Sequence, residues 1–322
     1  MNARESFPVV SASALPVRSE ERRWLIENLW PVEGVGIIGG AAKSYKTWLA
    51  LDLAVSLASK TPCLGRFGIP FRRRVLVYAA EDSLPDIRHR LASICTPRGL
   101  CLNELELGII AIHRMHLNLT EDLSRLTHTI AAHQPALLIL DPFVRLHSAI
   151  DENSSSEVSS ILGKLRALQR EYRVAIALVH HARKHRSGLR PGQSLRGSTD
   201  FHAWTDVTLY MQQKTHHIEL AIEHRTAASP EPWRLTLSDP THSPHLAMLD
   251  DDALKPVNPP ESDSLEHRLL EVMNQQQSPV AQVRLRQIVK ARNQRVTDTL
   301  IHLMSQGLVT RTEKGWMTVN TD

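Results

Sequence analysis

The chain has 322 residues, of which 42% are hydrophobic, and a mildly basic formal net charge of +4 that is compatible with a nucleic-acid partner. No apolar run approaches the roughly 20 residues of a membrane span, and the amino terminus lacks a signal-peptide pattern, so we expect a cytoplasmic protein. The three cysteines form no Cys-x-x-Cys pair, which excludes a zinc ribbon or a disulfide framework as the organising feature.

The first 29 residues are expected to form a lead-in to the main domain. Residues 21–31, which overlap its end, combine charged side chains with tryptophan, leucine and isoleucine. This pattern predicts a short amphipathic helix or a turn that ends at Pro31.

The stretch that follows has the pattern of a phosphate-binding loop. An apolar strand over residues 34–38 runs into a turn of small residues, and a helix follows Lys46 and Thr47. Glycines let backbone N–H groups converge on phosphate oxygens, and the helix N-terminus favours negative charge. We expect Lys46 to neutralise the β- and γ-phosphates of ATP and the Thr47 hydroxyl to ligate Mg²⁺. The predicted nucleotide-binding residues are Gly39, Gly40, Ala41, Ala42, Lys43, Ser44, Tyr45, Lys46, Thr47 and Trp48.

One position departs from the usual Gly-x-x-x-x-Gly-Lys-Ser/Thr spacing. Counting from Gly40, the second glycine is replaced by Tyr45, a residue type that does not readily adopt positive φ. The alternative is an unrelated Gly-Gly turn before an amphipathic helix. Lys43 would add a second cation at the phosphates or lie solvated in the loop.

Alternating strands and helices after this loop predict an α/β core. Because a run of strands ends the domain, we expect a mostly parallel sheet with an antiparallel flank. The polar segments 143–157 and 182–198 are expected to be loops. The predicted strands are 75–80, 107–112, 135–140, 174–179, 205–211, 218–223 and 233–237, and the predicted helices are 86–94, 124–133 and 158–171.

Three of these strand ends carry polar residues, at the edge where open α/β sheets bind ligands. Asp141 is a Walker-B-type aspartate that we expect to hold Mg²⁺, and Pro142 occupies the position of a neighbouring glutamate base. Glu81 is therefore the candidate base, and His180 or His181 the candidate sensor of the γ-phosphate. Each acidic strand end could alternatively cap a helix.

Four sequence blocks in this order resemble the RecA-like P-loop ATPases of the RepA type, the hexameric replicative helicases of small plasmids. They are Gly-Gly-Ala-Ala-Lys-Ser-Tyr-Lys-Thr (39–47), Val-Leu-Val-Tyr-Ala-Ala-Glu-Asp (75–82), Leu-Ile-Leu-Asp-Pro-Phe-Val-Arg-Leu-His (138–147) and Leu-Val-His-His-Ala-Arg-Lys (178–184), with a fifth match at Leu-Arg-Gly-Ser-Thr-Asp (195–200). The resemblance implies ATP·Mg²⁺ hydrolysis between the subunits of a ring. It assigns Glu81 as catalytic base, Asp141 as Walker B aspartate and His181, or His180, as coupling sensor.

The resemblance also implies an arginine that acts on the neighbouring subunit. Related ring helicases place a Lys-x-Arg finger where this chain has Glu223-His224-Arg225, so Arg225 is the candidate. Arg196, in the Arg-Gly-Ser block, is the second. Either arginine could instead contact phosphate or lie on the surface.

The last part of the chain lies outside this resemblance. Residues 250–263 are rich in aspartate, proline and serine and predict a linker, and residues 264–322 predict three helices and a two-stranded ribbon, the outline of a winged helix. Basic and amide side chains around the third helix suit duplex DNA, although winged helices also dock proteins. They are Arg284, Arg286, Lys290, Arg292, Gln294 and Arg295.

The expected organisation is a lead-in (1–29), a RecA-like ATPase core (30–249), a linker (250–263) and a winged-helix-like domain (264–322). The leading interpretation is an ATP-driven hexameric motor that binds single-stranded DNA through its core and duplex through its tail. The alternatives are a regulatory or loading ATPase that does not unwind DNA and, less consistent with the tail, a small-molecule kinase.

Overall fold

The computed structural model describes residues 7, 9–15, 23–147, 155–181, 198–239, 241–249, 265–276, 279–289, 293–305, 308–312 and 315–318. The predicted loop at 182–198, which contains Arg196, lies outside these ranges except for Ser198, the first residue of a helix, and the predicted linker lies wholly outside them. The chain divides into two compact units, Met1–Leu249 and Asp250–Asp322. Among the described helices, none is long and apolar enough to cross a membrane.

The amino-terminal prediction of a helix or turn over residues 21–31 was wrong in its helical form, because this segment forms two short strands. β1 (Trp24–Ile26) pairs antiparallel with β2 (Trp30–Pro31). Asn28 lies between them with φ 56°, a left-handed conformation that asparagine tolerates better than most residues. The reversal buries Ile26, Leu29 and Trp30 completely, and their spacing, which is also that of one helical face, explains why the sequence pattern suggested a helix.

A nine-stranded sheet forms the centre of the first unit, and it confirms the predicted fold class. From one edge to the other the strands are β11 (His245–Met248), β10 (Trp233–Ser238), β9 (Ile218–His224), β8 (Val207–Gln213), β3 (Val35–Gly40), β7 (Ala175–His181), β6 (Leu137–Asp141), β4 (Val75–Ala79) and β5 (Leu107–Ile109). Strands β8 to β5 in this order are parallel, and β9, β10 and β11 form the antiparallel flank. β11 was not predicted.

Helices cover both faces of this sheet. On one face α1 (Lys46–Ser59) and α2 (Leu84–Cys95) pack against the odd-numbered residues of β6 and β7. On the other, α3 (Thr120–His133), α4 (Ser155–Tyr172) and α5 (Ser198–Trp204) pack against the even-numbered residues. Because side chains alternate along a strand, residue parity decides which polar strand-end groups face α1.

The second unit has three helices followed by two strands. They are α6 (Leu265–Gln275), α7 (Gln282–Val289), α8 (Asn293–Ser305), β12 (Val309–Thr312) and β13 (Gly315–Thr318). β12 and β13 are antiparallel, and Val280, before α7, adds a bridge to Trp316. Leucines of all three helices pack with Trp316 in one small core.

Candidate nucleotide-binding site

The loop between β3 and α1 requires glycine at its start. Gly40 ends β3 with φ 154°, and a Cβ there would lie 2.3 Å from the Met211 carbonyl oxygen and 2.6 Å from Ser44 Oγ. Gly39 is buried beside it, whereas Ala41, Ala42 and Lys43 are exposed. The loop therefore passes tightly over the strand end and presents the next residues to solvent.

Tyr45 adopts the backbone conformation that a glycine would have at this position. Its φ of 65° and ψ of 22° are left-handed, and Lys43 also has a positive φ of 63°. The expectation that tyrosine would resist this conformation was wrong. A left-handed residue costs about 1–2 kcal/mol, and the half-buried Tyr45 side chain packs against the core beneath α1, which offsets that cost.

Lys46 turns its ammonium group into the loop. Its Nζ donates a hydrogen bond to the Ala41 carbonyl oxygen at 2.6 Å, and the Ser44 hydroxyl donates to the same oxygen at 2.8 Å. Burial lowers the pKa of Lys46 to about 8, while Asp141 and Glu81 oppose this change. A cation held in a partly desolvated loop is suited to bind phosphate oxygens strongly.

Thr47 and Asp141 meet directly behind the loop. The Thr47 hydroxyl donates a hydrogen bond to Asp141 Oδ2 at 2.7 Å. Burial raises the pKa of Asp141 to about 6, and the hydrogen bond from Thr47 opposes that rise. A hydroxyl and a carboxylate are oxygen ligands that suit Mg²⁺ when nucleotide phosphates complete its shell. The residues present therefore fit an Mg·ATP group.

The two candidate sensor histidines point to opposite faces of β7. His180 is buried between Phe143 and Phe201, with ring centroids 5.8 and 4.4 Å away. His181 has the parity of the residues that pack against α1, and it lies beside Gly40 in the parallel register. Parity thus places His181, like Asp141, on the face that carries the phosphate loop.

Glu81 lies just beyond the end of β4, at the mouth of the site. Its Oε1 accepts a hydrogen bond from Arg145 Nε at 3.2 Å, and both side chains are about half exposed. Arg145 follows Asp141 in the next loop, and sequence reasoning did not identify it. The signals available were its position four residues after the Walker-B-type aspartate and its place in the block 138–147.

A second charged pair flanks the site and was also not predicted. Arg90 on α2 donates to Asp82 Oδ2 at 2.7 Å, and its guanidinium carbon lies 5.5 Å from the Trp48 ring centroid. Burial raises the pKa of Asp82, and Arg90 opposes the rise. The Arg90 side chain is only 27% exposed.

Arg225 does not join the residues around the phosphate loop of its own chain. It follows β9, whose last residue pairs with Val207 at the start of β8. Arg225 therefore lies near the amino-terminal ends of the parallel strands, whereas the phosphate loop follows the carboxyl end of β3. There its Nη1 is 3.8 Å from Asp206 Oδ1.

Comparison with known proteins identifies the family. The chain matches the AAA_25 family, described as an AAA domain, over residues 2–187, which is more than half its length. The solved "ATPase Domain of G40P" has a TM-score of 0.52 at 15% identity, covering 68% of this chain and 85% of that one. A structure of a DnaB-like replicative helicase and its interactions with primase gives 0.49 at 15% identity, covering 65% and 56%.

At 15% identity the first of these likenesses concerns the fold alone. No curated protein sequence gives a significant match. Residues 2–187 contain the phosphate loop, Glu81, Asp141 and both candidate histidines. The chain belongs to the AAA domain family AAA_25, and its first unit has the fold of a RecA-like ATPase domain.

Proposed function

We propose that the first unit binds and hydrolyses Mg·ATP. The observation that carries this proposal is the contact between Thr47 and Asp141 behind a loop in which Lys46 is buried. When bound, Mg²⁺ would supply positive charge that neutralises the charge developing during phosphoryl transfer. Thr47 and Asp141 would hold it, and Lys46 would bind the β- and γ-phosphates.

Glu81 is the base in this proposal. Two residues beyond β4, it lies close enough for its charge to oppose the lowering of the Lys46 pKa, and its carboxylate can orient a water for attack on the γ-phosphate. The ion pair with Arg145 holds Glu81 at the site mouth, and the exposure of both partners makes that pair easy to exchange. His181, the last residue of β7, is the candidate sensor of the γ-phosphate.

Assembly and DNA binding extend the same proposal. We propose a hexameric ring of the RepA type in which Arg225 reaches the nucleotide of the next subunit, with Arg196 as the second candidate. Single-stranded DNA would bind the core of the ring. The observations in favour are the four sequence blocks and the position of Arg225 away from its own phosphate loop.

The second unit is proposed to be a winged helix that binds duplex DNA. Its order of helices, bridge and paired strands fits that fold, and Arg284 and Arg286 are exposed on α7. Lys290 and Arg292 are outside the described residues, as are the side chains of Gln294 and Arg295. Replacing Arg284 and Arg286 together should weaken duplex binding by the chain for all sequences and flatten its salt dependence. Unchanged duplex binding would favour a protein-docking role.

One experiment separates a motor from the alternative, an ATPase whose nucleotide state regulates or loads other proteins. ATP hydrolysis should be measured with and without single-stranded DNA, together with strand displacement in the same sample. The motor proposal predicts stimulated hydrolysis and displacement, both lost in Lys46→Ala. Hydrolysis without displacement would support the regulatory ATPase, and absence of hydrolysis under all conditions would contradict both.

A further inference from the structure

A cavity of about 610 Å³ lies beside β9, away from the phosphate loop. β10 pairs with only Ile218, Glu219 and Leu220 of β9. Among the described residues, no strand therefore pairs with residues 221–224 of β9 on the β10 side. The space is bounded by the turn after β1, by residues 66–68 and by the loop after β9. Its volume is within the range of small-molecule sites.

Direct contacts hold these separate segments in place. The Glu27 amide donates to the Gly68 carbonyl oxygen at 2.9 Å, and His224 Nε2 lies 3.2 Å from the Asn28 carbonyl oxygen. Arg23 donates to the Thr226 carbonyl oxygen at 3.2 Å. Because all these contacts lie within one compact unit, the cavity is formed by the fold itself.

The walls combine aromatic rings with arginine. The Arg66 guanidinium lies 4.1 Å from the ring centroid of Trp233, and Phe67 meets the same ring edge-on at 5.9 Å. Trp24 also lines the cavity, and Arg23, which is not a lining residue, lies 5.4 Å from the centroid of its ring. Each tryptophan is half-buried, so each ring keeps part of its surface accessible.

We propose that this cavity binds a nucleobase. Bases stack on aromatic rings and on guanidinium planes, and arginine adds attraction to the phosphates attached to them. Glu27 and Asn28, both exposed at the rim, offer hydrogen-bonding groups to a base edge. Phosphate binding alone would require only the arginines, whereas two tryptophan rings, each with an arginine nearby, favour a base.

The nucleobase can come from single-stranded DNA or from a free nucleotide, and the site is independent of ATP hydrolysis. None of the residues that line it belongs to the phosphate-loop site. Loss of hydrolysis with intact binding here would therefore contradict the proposed ATPase function and leave this proposal standing.

The test is a fluorescence titration of the full chain, without ATP, with an oligothymidylate and with an abasic oligonucleotide of equal length. We expect tighter binding of the oligothymidylate, reduced about tenfold by Trp233→Ala and by Arg66→Ala. Arg88→Ala, which removes an exposed arginine of α2 outside the cavity, is the matched control and should bind normally. Equal affinity for the abasic strand, or normal binding by both cavity variants, would overturn the proposal.

Three further measurements complete the test. Trp233→Phe retains a stacking ring and should keep most of the affinity, which separates stacking from a general loss of structure. An oligonucleotide with one photoreactive 5-iodouracil should crosslink to residues 23–28, 66–68 or 224–233, and crosslinks confined to other segments would overturn the proposal. Displacement of the oligonucleotide by thymidine monophosphate would identify a mononucleotide site, and its failure would identify a strand site.

Discussion

The phosphate loop and the aromatic cavity lie in one unit, but the charged side chains of the loop are buried and the arginine of the cavity is exposed. Lys46 and Asp141 are 5% and 7% exposed, and burial lowers the pKa of the first to about 8 and raises that of the second to about 6. Arg66 instead lies exposed on the face of Trp233. Buried charges interact strongly with phosphate and Mg²⁺ but reduce folding stability. Substitutions at the loop should therefore change both chemistry and stability, and those at the cavity should change binding alone.

Arg225→Ala has the largest expected effect on the rate of ATP hydrolysis. It also tests whether hydrolysis and binding in the cavity are separate, because its neighbour His224 lines the cavity. An arginine that stabilises transition-state charge in trans is worth about 10³-fold or more in rate. Arg225→Ala should bind ATP and oligothymidylate normally and barely hydrolyse ATP, as measured by steady-state turnover.

Mixing Arg225→Ala with Lys46→Ala is the control for action in trans. A mixed ring contains some interfaces in which both residues are intact, so part of the turnover should return. Full activity of Arg225→Ala, loss of turnover only in Arg196→Ala, or an active monomer at high dilution would contradict the assignment.

Glu81→Gln should lower turnover by about 10²-fold or more while ATP still binds, because the amide cannot accept the proton of the attacking water. The matched control is Asp82→Asn, which changes the adjacent carboxylate that pairs with Arg90. It should retain most of the turnover in a single-turnover assay. The reverse order of the two effects would transfer the role of base to Asp82.

Asp141→Asn should raise the Mg²⁺ concentration for half-maximal hydrolysis about 10- to 100-fold, the size of effect seen when the groups that support a metal are altered. Thr47→Ser, which keeps the hydroxyl, is its control and should change that concentration little.

The same Asp141→Asn substitution should stabilise the fold at pH 8. A carboxyl whose pKa is raised from 3.8 to about 6 on folding loses stability as the pH rises through that interval. We expect a gain on the order of 2 kcal/mol at pH 8 that disappears near pH 4, as measured by urea unfolding. A gain that grew at low pH would contradict this sign.

The smallest expected effect is at Tyr45. In an ordinary helical position alanine is more stable than glycine, but at φ 65° the order should reverse. Tyr45→Gly should exceed Tyr45→Ala by about 1 kcal/mol in unfolding free energy. Equal stability, or a more stable alanine variant, would show that the loop does not hold this conformation in solution.

Local spacing was enough to predict the loop before α1, α1 itself and the position of Asp141 at a strand end, because each depends on a continuous stretch of sequence. The Asp82–Arg90 and Glu81–Arg145 pairs could not be predicted, since each depends on how a helix or loop returns to the sheet. Which of His180 and His181 lies on the face of α1 could not be predicted without the strand register. The aromatic cavity combines residues from three distant segments, so no local sequence pattern predicts it.

Equilibrium binding of Mg·ATP to the wild-type chain and to Lys46→Ala tests the central claim most directly. Calorimetry should detect binding to the wild type and none to the variant, while thermal unfolding should show that the variant remains folded, since it loses a buried cation. A folded Lys46→Ala that bound Mg·ATP as tightly as the wild type would contradict the claim that this loop is the nucleotide site.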